Sequence, residues 1–347
     1  LALPILPWGL TACLATNDEP SSGHPALAAP LDQARIGFAS FRPGEATATL
    51  RTLADRIRQL NQSRAVNVTV GLGSSAFTVL GCIDQRPPGL AIMPTFPGDV
   101  LDPGRTNADV VLQVEAGNQA GVEAAWARLT AEPPGLDVGW TTAGRRPENA
   151  VDEGRALTRN PFGFVEGFAN ATVQNTPSVE DITLIRSGEA PGWAVGGSFL
   201  AARVIQLAQE LWDLDPIETQ EQIIGRRRDG AWLDGTATGS EPDFAADPDG
   251  VTTPLDSHVR RAHPRDGGSA PPLIRRSWTY AGSDAAGTNE TGIMFLCFQR
   301  DLQVGFEAVQ RRLHGQALDL YLLTVGGGYF VVPPVSSTPW EDALLRA

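Results

Sequence analysis

The chain predicts an α+β fold of two sandwiches, each an antiparallel sheet with helices packed on one face. Three observations support this. Segments of period-2 alternation and segments of helical period follow one another in the order β-α-β-β-α through the first half. A similar grammar of strands and helices returns in the second half. The length, 347 residues, suits two domains of about 150 residues each. The expected division is residues 1–150 and 151–347.

The elements can be justified in order. ARIGFASF (34–41) is rich in branched and aromatic residues and reads as a strand. A helix is expected over about 46–62, with Leu50, Leu53, Ile57 and Leu60 on one face. VNVTVGLG (66–73) puts Val66, Val68, Val70 and Leu72 on one side, the pattern of a half-buried strand. A loop rich in proline and glycine spans 84–106, and ADVVLQVEA (108–116) is a second alternating strand. Val122, Trp126 and Leu129 mark the next helix, with a further strand near 137–142. The polar, glycine-containing stretch 141–161 reads as the connection between halves.

In the second half, DITLIRS (181–187) and WAVGGSF (193–199) read as a hairpin. A helix is expected to follow to about 213, with Leu200, Val204, Leu207 and Leu211 at helical spacing. GIMFLCFQ (292–299) reads as a strand. A helix after it carries Leu302, Phe306, Val309 and Leu313 on one face, and GYFVVPP (328–334) is the last strand. Residues 226–291 are charged, glycine-rich and without periodic signal, the mark of a functional or disordered loop.

Composition narrows the function. With 42% hydrophobic and 19% charged residues, the chain can form a real core. Forty acidic residues face 27 basic ones, all of them arginine, for a net charge of −13. Nucleic acid and polybasic membrane binding are therefore not expected, because phosphate binding needs clustered cations. No apolar run is long enough for a membrane span. The apolar start LALPILPWGLTACLAT holds two prolines and no basic region before it, so it does not read as an intact signal peptide, and a cytoplasmic location is slightly favoured over a secreted one. Cys13, Cys82 and Cys297 are too few and scattered for a disulfide framework or a zinc site, and read as buried thiols.

Three local motifs invite chemistry. Gly71-x-Gly73-x-x-Ala76 follows a strand as a dinucleotide loop would, but the acid expected about 20 residues on is missing, since position 91 is alanine. A tight glycine turn is the favoured reading. Of the four histidines, His258 and His263 lack zinc spacing, His314 closes a helix and His24 sits in a loop. Glu166 stands between glycines and aromatics in Gly163-Phe164-Val165-Glu166-Gly167-Phe168, where apolar surroundings favour a raised pKa suited to proton transfer. On local sequence alone a turn acid is the favoured reading.

The order of segments is more specific. GFVEG, GGSFLAARVIQLAQELW, IIGRRRDG, DSHVRRAHPR, LIRRSWTY and GIMFLCFQ, in that order, closely resemble the dye-decolorizing-type haem peroxidases. VTVGLGSSAF, TFPGD and ADVVLQVEA resemble the N-terminal domain of the same family, so the resemblance runs from about residue 22 to 335. It implies two ferredoxin-like domains, with haem b held in the C-terminal one. The implied activity is oxidation of phenolic or dye-like aromatic donors by hydrogen peroxide, in one-electron steps through a ferryl state. The implied alternative is a haem-handling, iron-release type of protein with weak peroxidase activity. A homo-oligomer is possible.

Residue by residue, the resemblance implies the following. His258 matches the axial haem ligand, and Asp319 is the nearest acid where the family keeps the partner that makes this imidazole electron-rich. Arg275 matches the distal arginine that stabilises charge as the peroxide O–O bond breaks, with Arg276 as the competing choice. Arg226 matches an arginine that pairs with a haem propionate. Ile293 and Phe295, two apart on a strand, match the apolar lining of the distal cavity, which Phe164 and Gly167 adjoin. Glu166 stands where the family pattern G-x-x-D-G has aspartate. Glutamate offers the same proton chemistry on a side chain one methylene longer. Trp232 and Trp278 lie near assigned residues and are candidate electron-transfer sites. The acidic balance suggests activity best at low pH.

Overall fold

The computed structural model describes residues 23–63, 65–131, 135–172, 177–264, 270–283, 289–335 and 339–346. The first half contains β1 (Gln33–Phe41), α1 (Ala46–Asn61), β2 (Val66–Gly73), α2 (Ala76–Val79), β3 (Val110–Ala116), α3 (Gln119–Thr130) and β4 (Leu136–Arg145). A strap of short strands follows: β5 (Ala150–Asp152), β6 (Arg155–Arg159) and β7 (Val165–Glu166). The second half contains α4 (Val179–Thr183), β8 (Ser198–Leu207), α5 (Gln209–Trp212), α6 (Ile217–Ile224), α7 (His258–Ala262), β9 (Ile274–Ser283), β10 (Asn289–Gln299), α8 (Ala308–Leu313), β11 (Leu322–Val332) and α9 (Trp340–Leu345).

The two halves share one topology. Their sheets run β4-β1-β3-β2 and β11-β8-β10-β9, with every neighbour antiparallel, which is the ferredoxin-like order twice over. The sheets meet edge to edge through β2–β11 and β4–β9, so among the described residues eight strands close into one barrel. Closure leaves these strands without open edges. It also puts protein on both faces of each sheet, and strand parity decides which face a side chain takes.

Ile36, Phe38, Val111, Leu200, Val204, Trp278, Met294, Leu296, Phe298 and Phe330 fill the barrel interior. On the outer face of the first sheet, Val68, Val70, Leu112 and Val114 pack under Leu50 and Leu53 of α1 and Val122, Trp126 and Leu129 of α3. The outer face of the second sheet is covered differently. There the strap, the long excursion between β8 and β9, and α8 enclose a cavity.

Several expectations are corrected by this architecture. The segment 200–207 is strand β8, not helix. Leu200 and Val204 are four apart, a spacing that fits one face of a strand as well as one face of a helix. Because β8 is buried on both faces, it shows no polar alternation that would separate the two readings. The expected hairpin over 181–199 is also absent. Ser178 and Asp181 instead form a reciprocal capping box that starts α4, a signature legible in Ser-Val-Glu-Asp. Residues 226–291 contain β9, which pairs with β10 over its length and which two adjacent arginines disguise. The connection over 141–161 holds the end of β4 and most of the strap.

Burial differs from expectation in β2 and β3. Val68–Gly73 are buried on both faces, and every residue of β3 is buried. Gln113 and Glu115, the polar face of β3, point into the barrel rather than to solvent, and Gln113 donates to Glu115 at 3.0 Å. The glycines at 71 and 73 serve packing at the β2–β11 seam. A Cβ at Gly71 would stand 2.8 Å from Phe330 and Val111, and one at Gly73 would stand 2.2 Å from the Ala108 carbonyl oxygen. No parallel unit surrounds them, so the dinucleotide reading falls. Cys82 and Cys297 are buried free thiols as expected, while Cys13 lies outside the described residues. Among the described residues no helix is long and apolar enough to cross a membrane.

Candidate functional site

The cavity on the outer face of the second sheet has a volume of about 350 Å³. Its floor is the cavity-facing parity of three strands: Arg203 and Ile205 on β8, Arg275 and Ser277 on β9, and Ile293, Phe295 and Cys297 on β10. The strap covers one side with Phe162, Phe164, Glu166 and Gly167, and His258 of α7 stands in the lining with Arg226, Trp232 and Asp319. Ten of the expected site residues thus converge here although they are scattered from 164 to 319. Trp278 does not. It belongs to the barrel interior, where its indole N–H donates to the Leu31 carbonyl at 3.0 Å.

His258 is the first residue of α7, after Ser257 at the N-cap. Its Nδ1 lies 2.8 Å from Oε1 of Gln316, and this contact leaves Nε2 as the ring nitrogen free to bind a ligand. Burial pushes the imidazole pKa down, which favours the neutral form a metal ion requires. The expected partner was Asp319. That residue is exposed and its carboxylate instead accepts the Gly315 N–H at 2.8 Å, closing a local turn. Gln316 takes the position expected of the acid, three residues earlier in the chain.

The two adjacent arginines are separated by parity. Arg275 lines the cavity and its neighbour across β10 is Cys297, while burial pulls its pKa down and the nearby Cys297 and Glu166 oppose that shift. Arg276 turns inward. It donates to the carbonyls of Pro25, Ala26 and Ala28 at 2.9, 2.7 and 2.7 Å, with the Glu115 carboxylate 3.9 Å away. Arg275 therefore presents its side chain to the cavity, while Arg276, which also borders it, spends its guanidinium on tying the N-terminal segment to the barrel.

Glu166 faces the cavity despite its extra methylene. Its carboxylate accepts a hydrogen bond from the Ser277 hydroxyl. Two devices bring it there. Gly167 has φ of +111°, and a Cβ there would stand 2.3 Å from the Ala156 carbonyl oxygen, so glycine is required for the turn after the acid. Asn170 then pairs with the backbone of Arg275, donating to its carbonyl at 2.8 Å and accepting its N–H at 3.1 Å. That pairing docks the loop after Glu166 onto β9. Ser277 was legible in principle, since it lies two residues from Arg275 on a strand. Gln316 and Asn170 carry no pattern that would single them out.

Arg226 follows Gly225, which ends α6 with φ of +86°. Its guanidinium sits 3.6 Å above the Trp232 ring centre and donates to the Gly230 carbonyl at 3.1 Å. Trp232 is buried and donates to the Ser240 carbonyl at 2.8 Å. The other arginines of this excursion brace the loop: Arg260 bonds Asp247 and the carbonyl of Thr253, and Arg261 bonds the carbonyl of His314 at 2.6 Å. A second buried ion pair, Arg203–Asp99, forms part of the cavity wall.

The chain is similar to known proteins over most of its length. Residues 38–144 match the family model for the Dyp-type peroxidase N-terminal domain, and residues 157–337 match that for the C-terminal domain. A deferrochelatase of Escherichia coli K12 is 36% identical over 276 residues, covering 78% of this chain and 65% of the relative. The chain thus spans about two thirds of the length of the curated relatives it matches. The DyP-type peroxidase of Cellulomonas bogoriensis superposes with a TM-score of 0.80 at 30% identity, covering 92% of this chain and 95% of the other. Ferric DtpA from Streptomyces lividans gives 0.81 at 27% identity, covering 94% and 95%. A duplicated ferredoxin-like barrel, a half-buried histidine in the cavity with one ring nitrogen engaged, and family matches on both halves agree: this chain belongs to the Dyp-type peroxidase family.

Proposed function

We propose that the protein is a haem b peroxidase that uses hydrogen peroxide to oxidise phenolic or dye-like donors one electron at a time. The observation that carries this reading is the presence of His258, Arg275 and Glu166 in one cavity, with Nδ1 of the histidine held by Gln316. The residues suit the group. A flat macrocycle with an anionic edge needs apolar walls, supplied by Phe164, Ile293, Phe295 and Leu273, and a cation at its rim, supplied by Arg226. Haem, when bound, supplies the iron-centred redox chemistry. His258 would hold it through Nε2.

The chain's own residues then handle protons and charge. Glu166 takes a proton from one peroxide oxygen and gives it to the other, so that the leaving oxygen departs as water. Ser277 keeps the carboxylate at the cavity face during that exchange. Arg275, half-buried at the cavity face, carries the permanent charge of a guanidinium and stabilises the negative charge that develops as the O–O bond stretches. The wall around it keeps bulk water from competing for these groups.

The test is an absorbance spectrum of purified protein before and after one equivalent of peroxide. A Soret band that shifts within milliseconds supports the reading, and a protein without a Soret band after haem reconstitution overturns it. His258→Ala should lose the haem, whereas Glu166→Gln should keep it and react with peroxide far more slowly. A second reading, haem handling with weak peroxide chemistry, is favoured by the 36% identity to deferrochelatases. It predicts slow bleaching of the haem in place of the rapid shift.

A further inference from the structure

We infer that Gln316 sets the electronic character of the axial histidine, and that it does so by being neutral. This inference rests on the haem reading above. Nδ1 of His258 lies 2.8 Å from the Gln316 amide oxygen, and with Nε2 reserved for the iron it is Nδ1 that carries the proton and donates. Gln316 is itself held in place. It is only 7% exposed, its side chain lines the cavity, and its backbone N–H donates to the Leu313 carbonyl at 3.0 Å. The nearest carboxylate, Asp319, also borders the cavity, but it accepts the Gly315 N–H and reaches the ring only through space. The hydrogen-bond partner of the imidazole is therefore an amide and not the acid.

The consequence follows from the basicity of the acceptor. A carboxylate beside Nδ1–H draws the proton towards itself and pushes electron density through the ring to a metal on Nε2. An amide oxygen accepts the same hydrogen bond with no net charge, so the ring remains a neutral imidazole donor. Ferric iron is then less stabilised relative to ferrous iron, and the haem is held at a higher reduction potential than a carboxylate partner would allow. Gln316 acts through His258 and is a positioning and tuning residue. It does not touch the reacting oxygens.

Spectroelectrochemical titration of the reconstituted holoprotein tests this without reference to turnover. Gln316→Glu should lower the midpoint potential by at least 59 mV, a tenfold change in the one-electron equilibrium. Gln316→Met, which keeps length but removes the acceptor, should raise it. Asp319→Asn should move it by less, since that carboxylate acts on the ring only through space. Equal potentials in the parent and both Gln316 variants would overturn the inference, as would a shift in Asp319→Asn as large as that of Gln316→Glu. If Gln316→Glu fails to fold, the pair Gln316→Met and Asp319→Asn decides alone: a larger movement in the first supports the inference, and any other pattern refutes it. Failure of the parent to take up haem is a separate outcome and sinks the function proposed above.

Discussion

Arg275 and Arg276 are chemically identical neighbours, and the structure gives them opposite jobs that alanine substitution can separate. Arg276→Ala removes three hydrogen bonds from a charged donor to the carbonyls of Pro25, Ala26 and Ala28 and takes from Glu115, which is fully buried, the stronger of its two counter-charges, leaving it only Arg146. Breaking a buried pair from one side costs about 3–5 kcal/mol, and much of the hydrogen-bond loss is contained in that figure. With an unfolding entropy of about 2.1 cal/mol/K per residue, a loss of about 4 kcal/mol lowers the melting temperature by roughly 5 °C for a chain of this length. Arg275→Ala behaves differently. Burial depresses the pKa of both guanidiniums alike, but Arg275 engages Asn170 only through its backbone, so removing its side chain breaks no such anchor and should leave stability unchanged or slightly improved. What it removes is charge stabilisation as the peroxide bond breaks, worth about 10²–10³ in rate. Differential scanning calorimetry and stopped-flow mixing with peroxide, run on both holoproteins, give a crossed pattern. The reasoning fails if Arg276→Ala melts within 1 °C of the parent, or if it slows the peroxide reaction as much as Arg275→Ala does.

Three further outcomes are expected. Ser277→Ala should leave haem content unchanged and slow the peroxide reaction by about 10–100-fold, because Glu166 loses the hydroxyl that positions it; an unaltered rate would show that the strap alone places the acid. Arg226→Lys should weaken haem affinity by about tenfold, since an ammonium reproduces neither the planar contact 3.6 Å above Trp232 nor the forked donor set. Haem transfer to apomyoglobin measures this, and equal transfer rates would contradict it. His24, buried and held neutral with its pKa lowered to about 4 by burial, gives stability a pH dependence. The unfolded chain takes up a proton near pH 6.5 and the folded one only near 4, so this contribution is fully present above 6.5 and declines as pH falls. The loss reaches about 3 kcal/mol below pH 4. Urea unfolding at pH 7, 5 and 4 should show the parent losing stability relative to His24→Gln, and a difference independent of pH would refute it.

Much of this molecule is legible in its sequence, and particular residues show where legibility stops. Leu50, Leu53, Val122, Trp126 and Leu129 declare their helices because one face is wet and the other dry. Ile293 and Phe295 declare a shared face, since parity is a property of any strand. Glu166 and His258 are found through motif order, and both line the cavity as expected. β8 resists reading because both of its faces are buried, which erases the contrast that periodicity depends on, and β9 because two adjacent arginines disguise its alternation. Asp319 is the reverse case. It is the nearest acid in the sequence, yet its carboxylate closes a turn while an amide meets the histidine.

The sequence by itself determined which local elements can form, which residue types are present for peroxide chemistry, and their order along the chain. Local backbone preferences and hydrophobic period act over a few residues, and motif order survives without any knowledge of contacts. The tertiary structure alone decided which of two adjacent arginines faces the cavity, which side chain engages Nδ1 of His258, and that Ser277 holds Glu166. Each of these is set by strand parity and by closure of two sheets into one barrel, which bring together residues as far apart as 166 and 277, or 258 and 316, whose pairing has no local cause.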